Sequence, residues 1–186
     1  MMQHHPLAGR DIVVPGSPTP LQIRVAADTA RFSLRIAPTL LAAASQAFAL
    51  DLPPKIGAVA ADGAKLAVCL GPDEWYLTAP LSEHDAVESR FAELYATVPH
   101  SLVDIGHREV SIEIEGPKAM LTLQSAIAFD IAAMPVASGR RTLFDKAQIV
   151  LLRTSEASFR IEVWRSFSEH VWGLLEATSR EIKLDI

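Results

Sequence analysis

The fold of this chain is decided by residues Leu102–Ala128, which read LVDIGHREVSIEIEGPKAMLTLQSAIA. Three β-branched residues in this stretch alternate with polar ones: Val110, Ile112 and Ile114. A period of two places them on one face, which predicts a half-buried strand. Gly116 ends that strand, and Pro117 suits the first position of a helix, where no N–H is needed. Apolar residues then recur every three to four positions as far as Ile127, so the centre of the chain predicts a strand–turn–helix unit.

Similar patterns surround this unit. Alternating or β-branched runs predict strands at Leu21–Val25, Phe32–Ile36, Leu66–Leu70, Trp75–Thr78, Leu102–Ile105, Ala147–Leu152 and Phe159–Trp164. Helical periodicity and capping residues predict helices over Thr39–Ala49, from Ser82 to Val98, and from Ser166 or Ser168 to Ile182. Residues Arg141–Phe144 have an extended pattern without a clear assignment.

The predicted order is β-β-α repeated four times, which indicates an α+β fold. It corresponds to two ferredoxin-like βαββα units whose antiparallel sheets are packed by helices. A short repeat agrees with this, because Leu81-Ser82-Glu83-His84 returns 86 residues later as Phe167-Ser168-Glu169-His170. We expect residues 1–20, which carry His4-His5 and four prolines, to form a flexible arm. Residues 21–100 and 101–186 then form two halves of one compact protein.

Composition excludes several classes of function. The net charge is −5 and the pI is near 5.7, whereas a protein that binds a nucleic-acid backbone needs a basic surface. No run approaches the ~20 apolar residues of a membrane span, and no secretory signal pattern opens the chain. Cys69 is the only cysteine and lies in an apolar run, which favours a buried thiol in a reducing compartment. We therefore expect a cytoplasmic protein.

The sequence contains no recognisable catalytic or cofactor motif. It has no Gly-rich phosphate loop, dinucleotide fingerprint or metal-ligand spacing. Ser101, Asp104 and His107 could be assembled as a hydrolase triad, but no Gly-x-Ser-x-Gly elbow accompanies them and Asp104 suits a turn. His84 and His170 lie near helix starts, where a solvated or capping role explains them. Whether the chain is itself an enzyme stays open, and we assign it no catalytic, cofactor-binding or metal-binding residue.

Three polar segments are conspicuous. The first is Gly71–Trp75, in which Asp73, Glu74 and Trp75 form either a plain hairpin or a polar site. The second is Gly139–Thr142, where Arg140 and Arg141 place two cations in a predicted loop that is either solvated or faces a carboxylate or phosphate. The third is Trp164–Phe167, at a strand-to-helix junction where Ser166 is a predicted cap.

Taken in order, these segments resemble the gamma subunit of bacterial heterotetrameric sarcosine oxidase. The similarity rests on Leu70–Trp75, Val103–Ile105 before Gly116-Pro117, Gly139–Thr142 and Val163–Phe167, and it extends over about residues 37–181. A more distant similarity is to the folate-binding fold of the glycine-cleavage aminomethyltransferase. The resemblance implies an accessory, non-catalytic subunit of an enzyme that oxidises sarcosine to glycine, formaldehyde and hydrogen peroxide in one-carbon metabolism.

The same resemblance implies larger alpha and beta subunits and a small delta subunit as partners. It assigns FAD, FMN, NAD and tetrahydrofolate to the assembled complex and no cofactor to this chain. Nine residues are then candidate interface or motif positions: Asp73, Glu74, Trp75, Arg140, Arg141, Trp164, Arg165, Ser166 and Phe167. Arginine and tryptophan are enriched at interface hot spots, which favours contact with a larger partner at Arg140, Arg141, Trp164 and Arg165.

Two alternatives belong to other classes. A free-standing folate-like binding protein would use an acid and an aromatic wall, which Asp73, Glu74 and Trp75 could supply. An independent enzyme would use Asp104 and His107. A subunit isolated from its partners could also expose an apolar patch and form a homo-oligomer.

Overall fold

A computed structural model describes residues 5–185 of the chain. The strands are β1 (Asp11–Val14), β2 (Leu21–Val25), β3 (Ala30–Ile36), β4 (Val59–Asp62), β5 (Lys65–Gly71), β6 (Glu74–Ala79), β7 (His100–Asp104), β8 (Glu109–Glu115), β9 (Ser138–Phe144), β10 (Ala147–Arg153) and β11 (Ser158–Trp164). The α-helices are α1 (Leu41–Phe48), α2 (His84–Leu94), α3 (Ala119–Gln124) and α4 (Arg165–Leu184). Short 3-10 helices lie at Pro38–Leu40, Leu81–Glu83 and Ile131–Ala133.

The chain forms two compact units. Unit 1 comprises Met1–Ala27, Arg108–Val136 and Arg141–Ile186, and unit 2 comprises Asp28–His107 and Ala137–Arg140. The described strands form a six-stranded sheet of order β1-β2-β8-β11-β10-β9 and a five-stranded sheet of order β4-β5-β6-β3-β7.

Unit 2 has the ferredoxin-like arrangement in sequence order. Strand β3 is followed by α1, β5, β6, α2 and β7, and β3 lies between β6 and β7 with antiparallel pairing on both sides. Strand β4 extends the sheet beside β5. The apolar residues Phe32, Leu34, Phe48, Trp75 and Phe91 are at most 1% exposed and form the core of this unit.

Unit 1 has the same arrangement with one strand taken from elsewhere in the chain. Strand β8 is followed by α3, β10, β11 and α4, and β8 pairs with β11 on one side. Its other neighbour is β2, from near the start of the chain, with Ile23 opposite Ile114. A fourth strand following α4 would occupy this position in a continuous unit, so β2 completes the sheet in its place.

The predicted strand at the centre of the chain is confirmed, but it is not half-buried as expected, because Glu109 and Ser111 on its polar face are also buried. Strand β8 presents Val110, Ile112 and Ile114 to the core of unit 1, and each is 0% exposed. The predicted helix is shorter than expected, because α3 ends at Gln124 and Ile127 packs into the core from the following turn. Pro117 lies in the turn before α3 rather than at its first residue.

The α+β class with two ferredoxin-like units is also confirmed. The units differ from the predicted halves of residues 21–100 and 101–186, because Leu21–Val25 pairs with β8 and so belongs to unit 1. Within the predicted arm of residues 1–20, Asp11–Val14 forms β1 and pairs antiparallel with β2. Residues 1–4 of the predicted arm, including His4, lie outside the described residues.

Candidate functional site

The Gly71–Trp75 segment is a hairpin turn whose polar groups are engaged by the fold. An Arg35 nitrogen lies 2.8 Å from Asp73 Oδ1, and another lies 3.1 Å from Glu74 Oε2. Trp75 is 1% exposed, and its indole N–H donates to the Pro53 carbonyl at 2.8 Å. A buried ring offers no wall to a ligand, and both acids are paired with the same arginine. The three residues therefore do not form the pterin-binding arrangement considered from the sequence.

Arg140 and Arg141 are consecutive residues of β9, where the sequence suggested a loop. They are exposed, and β9 is an edge strand of the six-stranded sheet. Side chains alternate along a strand, so the two guanidinium groups point to opposite faces rather than forming one cationic patch. A strand forms here because β9 is hydrogen-bonded to β10 in that sheet, and its first residues also contact Gly57 and Ala58, with the Gly139 N–H donating to the Gly57 carbonyl at 2.9 Å.

The Trp164–Phe167 segment joins β11 to α4. The Arg108 guanidinium lies 4.8 Å from the centre of the Trp164 ring, a cation–π contact, and the Arg165 N–H donates to the Arg108 carbonyl at 2.8 Å. Trp164 is 36% exposed, whereas Phe167 is partly buried against the core of unit 1. The junction thus presents the partly exposed Trp164 ring, which is in contact with the Arg108 guanidinium.

The predicted cap of α4 is wrong. Trp164 occupies the N-cap position, and no side chain caps the helix. Ser166 is exposed, and the Ser168 hydroxyl donates to the Arg165 carbonyl at 2.8 Å within the first turn. The backbone of Arg108 contributes the contact that fixes the helix start, a long-range interaction that local sequence does not reveal.

Asp104 is bonded to a histidine, but to His84 rather than His107. The two atoms His84 Nε2 and Asp104 Oδ2 are 3.2 Å apart, and His84 Nδ1 lies 2.8 Å from Asp85 Oδ1. Asp104 Oδ1 accepts the Gly106 N–H at 2.7 Å, the turn role expected for it. His107 and Ser101 are exposed. The structure therefore ties α2 to the end of β7 and does not support the hydrolase triad.

The repeated Ser-Glu-His segments each provide a histidine–aspartate pair. His170 Nε2 lies 2.8 Å from Asp145 Oδ2 in unit 1, as His84 pairs with Asp104 in unit 2. The hydrogen bond from His170 holds the pKa of Asp145 below its ordinary value. Sequence reasoning treated both histidines as solvated or capping groups, although the repeat itself was the signal that they share a structural role.

His84, Asp85 and Glu88 form the group in the described part of the chain that has the spacing of metal ligands, with ligand atoms within 4.8 Å of one another. Both nitrogens of His84 already face carboxylates, and the ring stacks on Phe32 with centroids 5.4 Å apart. Hydrogen bonds between the imidazole and the neighbouring carboxylates account for the close spacing of this cluster. Within residues 5–185, no helix is long and apolar enough to cross a membrane.

Comparison with known proteins places these features in a family context. Residues 34–181 match the model described as sarcosine oxidase, gamma subunit family. The chain is 33% identical over 163 residues to the sarcosine oxidase subunit gamma of Corynebacterium sp. strain U-96, which covers 84% of this chain and 78% of that protein. The resemblance inferred from the sequence segments is confirmed by both comparisons.

Two solved structures are also similar. One is the heterotetrameric sarcosine oxidase from Corynebacterium sp. U-96 in complex with pyrrole 2-carboxylate, with a TM-score of 0.81, 28% identity, and coverage of 92% of this chain and 89% of that chain. The other is the glycine cleavage system aminomethyltransferase T from Bartonella henselae, with a TM-score of 0.66, 14% identity, and coverage of 85% of this chain and 46% of that chain. At 14% identity the second similarity concerns the fold alone.

Proposed function

The chain belongs to the sarcosine oxidase gamma subunit family, and from this we propose that it is an accessory subunit of a heterotetrameric sarcosine oxidase. The observation that carries the proposal is the similarity to a chain of the heterotetrameric enzyme, with a TM-score of 0.81 over 92% of this chain. The assembled enzyme would oxidise sarcosine, with water and dioxygen, to glycine, formaldehyde and hydrogen peroxide.

The proposed division of labour leaves the chemistry to the larger chains. We expect FAD, FMN, NAD and tetrahydrofolate to be bound by the alpha and beta subunits, with a small delta subunit completing the complex. The polar residues of this chain support that division, because Asp73, Glu74, Asp104 and His84 are engaged in ion pairs or hydrogen bonds that stabilise its own fold.

The proposed interface includes the exposed part of the β11–α4 junction and the edge strand β9. Trp164 combines an exposed indole with the Arg108 cation over its ring, which is the amphipathic character of a hot-spot residue. Arg165, Ser166 and Phe167 surround it in sequence, and Arg140 and Arg141 add two exposed guanidinium groups on β9. Such side chains favour contact with a larger chain over contact with substrate.

The free-standing folate-binding alternative has no support at the position where the sequence suggested it. An exposed acid next to an open aromatic wall would be needed, but Trp75 is 1% exposed and its N–H is used by Pro53. We propose that the chain has partners rather than a ligand of its own, and that the isolated chain associates with itself when these partners are missing.

The proposed compartment is the cytoplasm. The lone Cys69 is buried and its thiol donates to the Gly71 carbonyl at 3.2 Å, while burial raises its pKa. A buried, protonated thiol behaves as a small apolar side chain and needs no oxidising environment.

The experiment is purification of the chain, carrying a C-terminal tag, from its native cells. Recovery of larger flavin-containing chains together with sarcosine-dependent peroxide formation supports the proposal. Recovery of the chain alone and colourless, under conditions where the cells oxidise sarcosine, rejects it.

A further inference from the structure

An open groove of about 820 Å³ lies beside α1 in unit 2. Its apolar lining comes from Leu41, Leu50 and Leu52, and small residues of the exposed helix face, such as Ala42 and Ala49, form one side. Ser45 also lines the groove, but its hydroxyl already donates to the Leu41 carbonyl and accepts the Leu52 N–H, each at 3.0 Å. The groove is therefore mostly aliphatic.

Two carboxylates also line this groove, those of Asp51 and Asp62. Both are exposed, and among the described residues neither has an ion-pair or hydrogen-bond partner for its side chain. The two cations near the end of α1 are used elsewhere, because Lys65 donates to the Phe48 carbonyl at 3.0 Å and Arg90 donates to the Ala47 carbonyl at 2.6 Å. The two carboxylates of the groove therefore form no ion pair with Lys65, Arg90 or any other described residue.

The contrast with other acids of unit 2 is informative. Seven of them lie within 4 Å of a cation or a histidine ring: Asp28, Asp73, Glu74, Glu83, Asp85, Glu88 and Asp104. Among the described residues of this unit, the acidic side chains without such a partner are those of Asp51, Asp62 and Glu93. Asp51 and Asp62 line the same groove. A groove lined by aliphatic side chains and two unpaired carboxylates complements a lysine or arginine side chain, which has a methylene stem and a cationic end.

We propose that this groove is a second docking site for a larger subunit, which inserts a segment carrying an exposed arginine or lysine. The methylene stem of that side chain packs on the leucines that line the groove, and its cation pairs with Asp51 and Asp62. The groove is open rather than enclosed, which suits a protein segment better than a free small cation such as a polyamine. This inference rests on the proposed function, because it assigns one contact of the proposed complex.

The test is the paired substitution Asp51→Asn with Asp62→Asn in the tagged chain, with Glu93→Gln as the matched control. Both changes replace exposed, unpaired carboxylates by amides of the same size in the same unit, so we expect both variants to fold as the wild type does. We expect the paired variant to retain the larger chains about tenfold less well than wild type, and the control to retain them fully. The weakened variant is expected to keep the melting temperature of the wild type.

A photo-crosslinking residue at Ala42 identifies the occupant directly. Crosslinking to an arginine- or lysine-containing segment of a larger chain supports the proposal. Crosslinking to a second copy of this chain, or full retention of the larger chains by the Asp51→Asn/Asp62→Asn variant, overturns it while leaving the accessory-subunit function intact. If wild type itself retains no larger chain, the proposed function fails first and the groove assignment fails with it.

Discussion

His84 bridges two carboxylates, with Nε2 3.2 Å from Asp104 Oδ2 and Nδ1 2.8 Å from Asp85 Oδ1. The hydrogen bond with Asp104 connects the first residue of α2 to the last residue of β7, the strand that follows α2 in unit 2. The hydrogen bond with Asp85, and next that with Asp104, raises the pKa of His84 against the opposing effect of burial. Burial acts to raise the pKa of Asp104, but the bonds from Gly106 and His84 outweigh it and hold that pKa low.

The first prediction is a pH-dependent contribution of His84 to stability. Its raised folded-state pKa means that the contribution is fully present below the unfolded-state value of about 6.5 and is lost as pH rises through the folded-state value. The pKa of Asp104 is held below its ordinary value, so the stability that its carboxylate contributes is lost only in acid, as pH falls through the folded-state pKa. The variant His84→Gln should therefore be less stable than wild type by about 0.5–1 kcal/mol at pH 5.5, with a smaller difference at pH 9.

Urea unfolding of wild type and His84→Gln across this pH range measures the difference. The exposed residue His107 provides the control His107→Gln, which we expect to stay within about 0.5 kcal/mol of wild type. A destabilisation by His84→Gln that is equal at pH 5.5 and pH 9 would show that the ring acts through packing on Phe32 alone.

The second prediction concerns Gly116, at the turn after the central strand. Its φ is +119°, and a Cβ added there would lie 2.4 Å from the Pro20 carbonyl oxygen and 3.0 Å from the Leu21 Cα. Backbone atoms of the paired segment cannot yield as a flexible side chain does, so Gly116→Ala should cost about 2–5 kcal/mol. Gly63, with φ of +57° and open space around it, provides the control, because Gly63→Ala should cost only about 1–2 kcal/mol. Equal costs in thermal or urea unfolding would contradict the close-approach argument.

The third prediction concerns Trp75. Replacement by phenylalanine keeps an aromatic ring in the core but removes the indole N–H that donates to Pro53, leaving a buried carbonyl without that donor. Trp75→Phe should lower the free energy of unfolding by about 1–3 kcal/mol. Trp164→Phe removes an exposed indole and should cost less than about 1 kcal/mol in the same chemical denaturation experiment. A larger loss at Trp164 would reverse the assignment of one tryptophan to the core and the other to the surface.

The fourth prediction separates assembly from folding at β9. Arg140→Glu combined with Arg141→Glu should reduce recovery of the larger chains at least several-fold, because two exposed cations of the proposed interface are reversed. Arg180→Glu on α4, where the arginine side chain is 72% exposed, is the control and should leave recovery unchanged. Intact recovery by the double variant would remove β9 from the interface.

Local pattern predicted most elements because their residues alternate cleanly. The β8 residues Val110, Ile112 and Ile114 belong to the core because a period of two leaves their side chains no other face. Strands β1 and β4 were missed, since each has only four residues and neither has a clear apolar face. Pairing with β2 and β5, rather than composition, makes them strands.

The division into units depends on long-range pairing and was not available from local pattern. Leu21–Val25 precedes β3 directly in sequence, yet it pairs with β8 about 90 residues later. The candidate site residues also fall into those that local sequence identifies and those that only long-range pairing reveals. Trp164 and Arg141 carried the family resemblance, whereas the pairing of Asp104 with His84 joins groups 20 residues apart and required the fold to be known.

Native mass spectrometry of the complex purified through this chain tests the central claim most directly. The accessory-subunit account predicts one copy of this 20.2 kDa chain in an assembly with three other, different chains, and flavin dissociating with the larger ones. An assembly made only of multiples of 20.2 kDa, from cells that oxidise sarcosine, would contradict it.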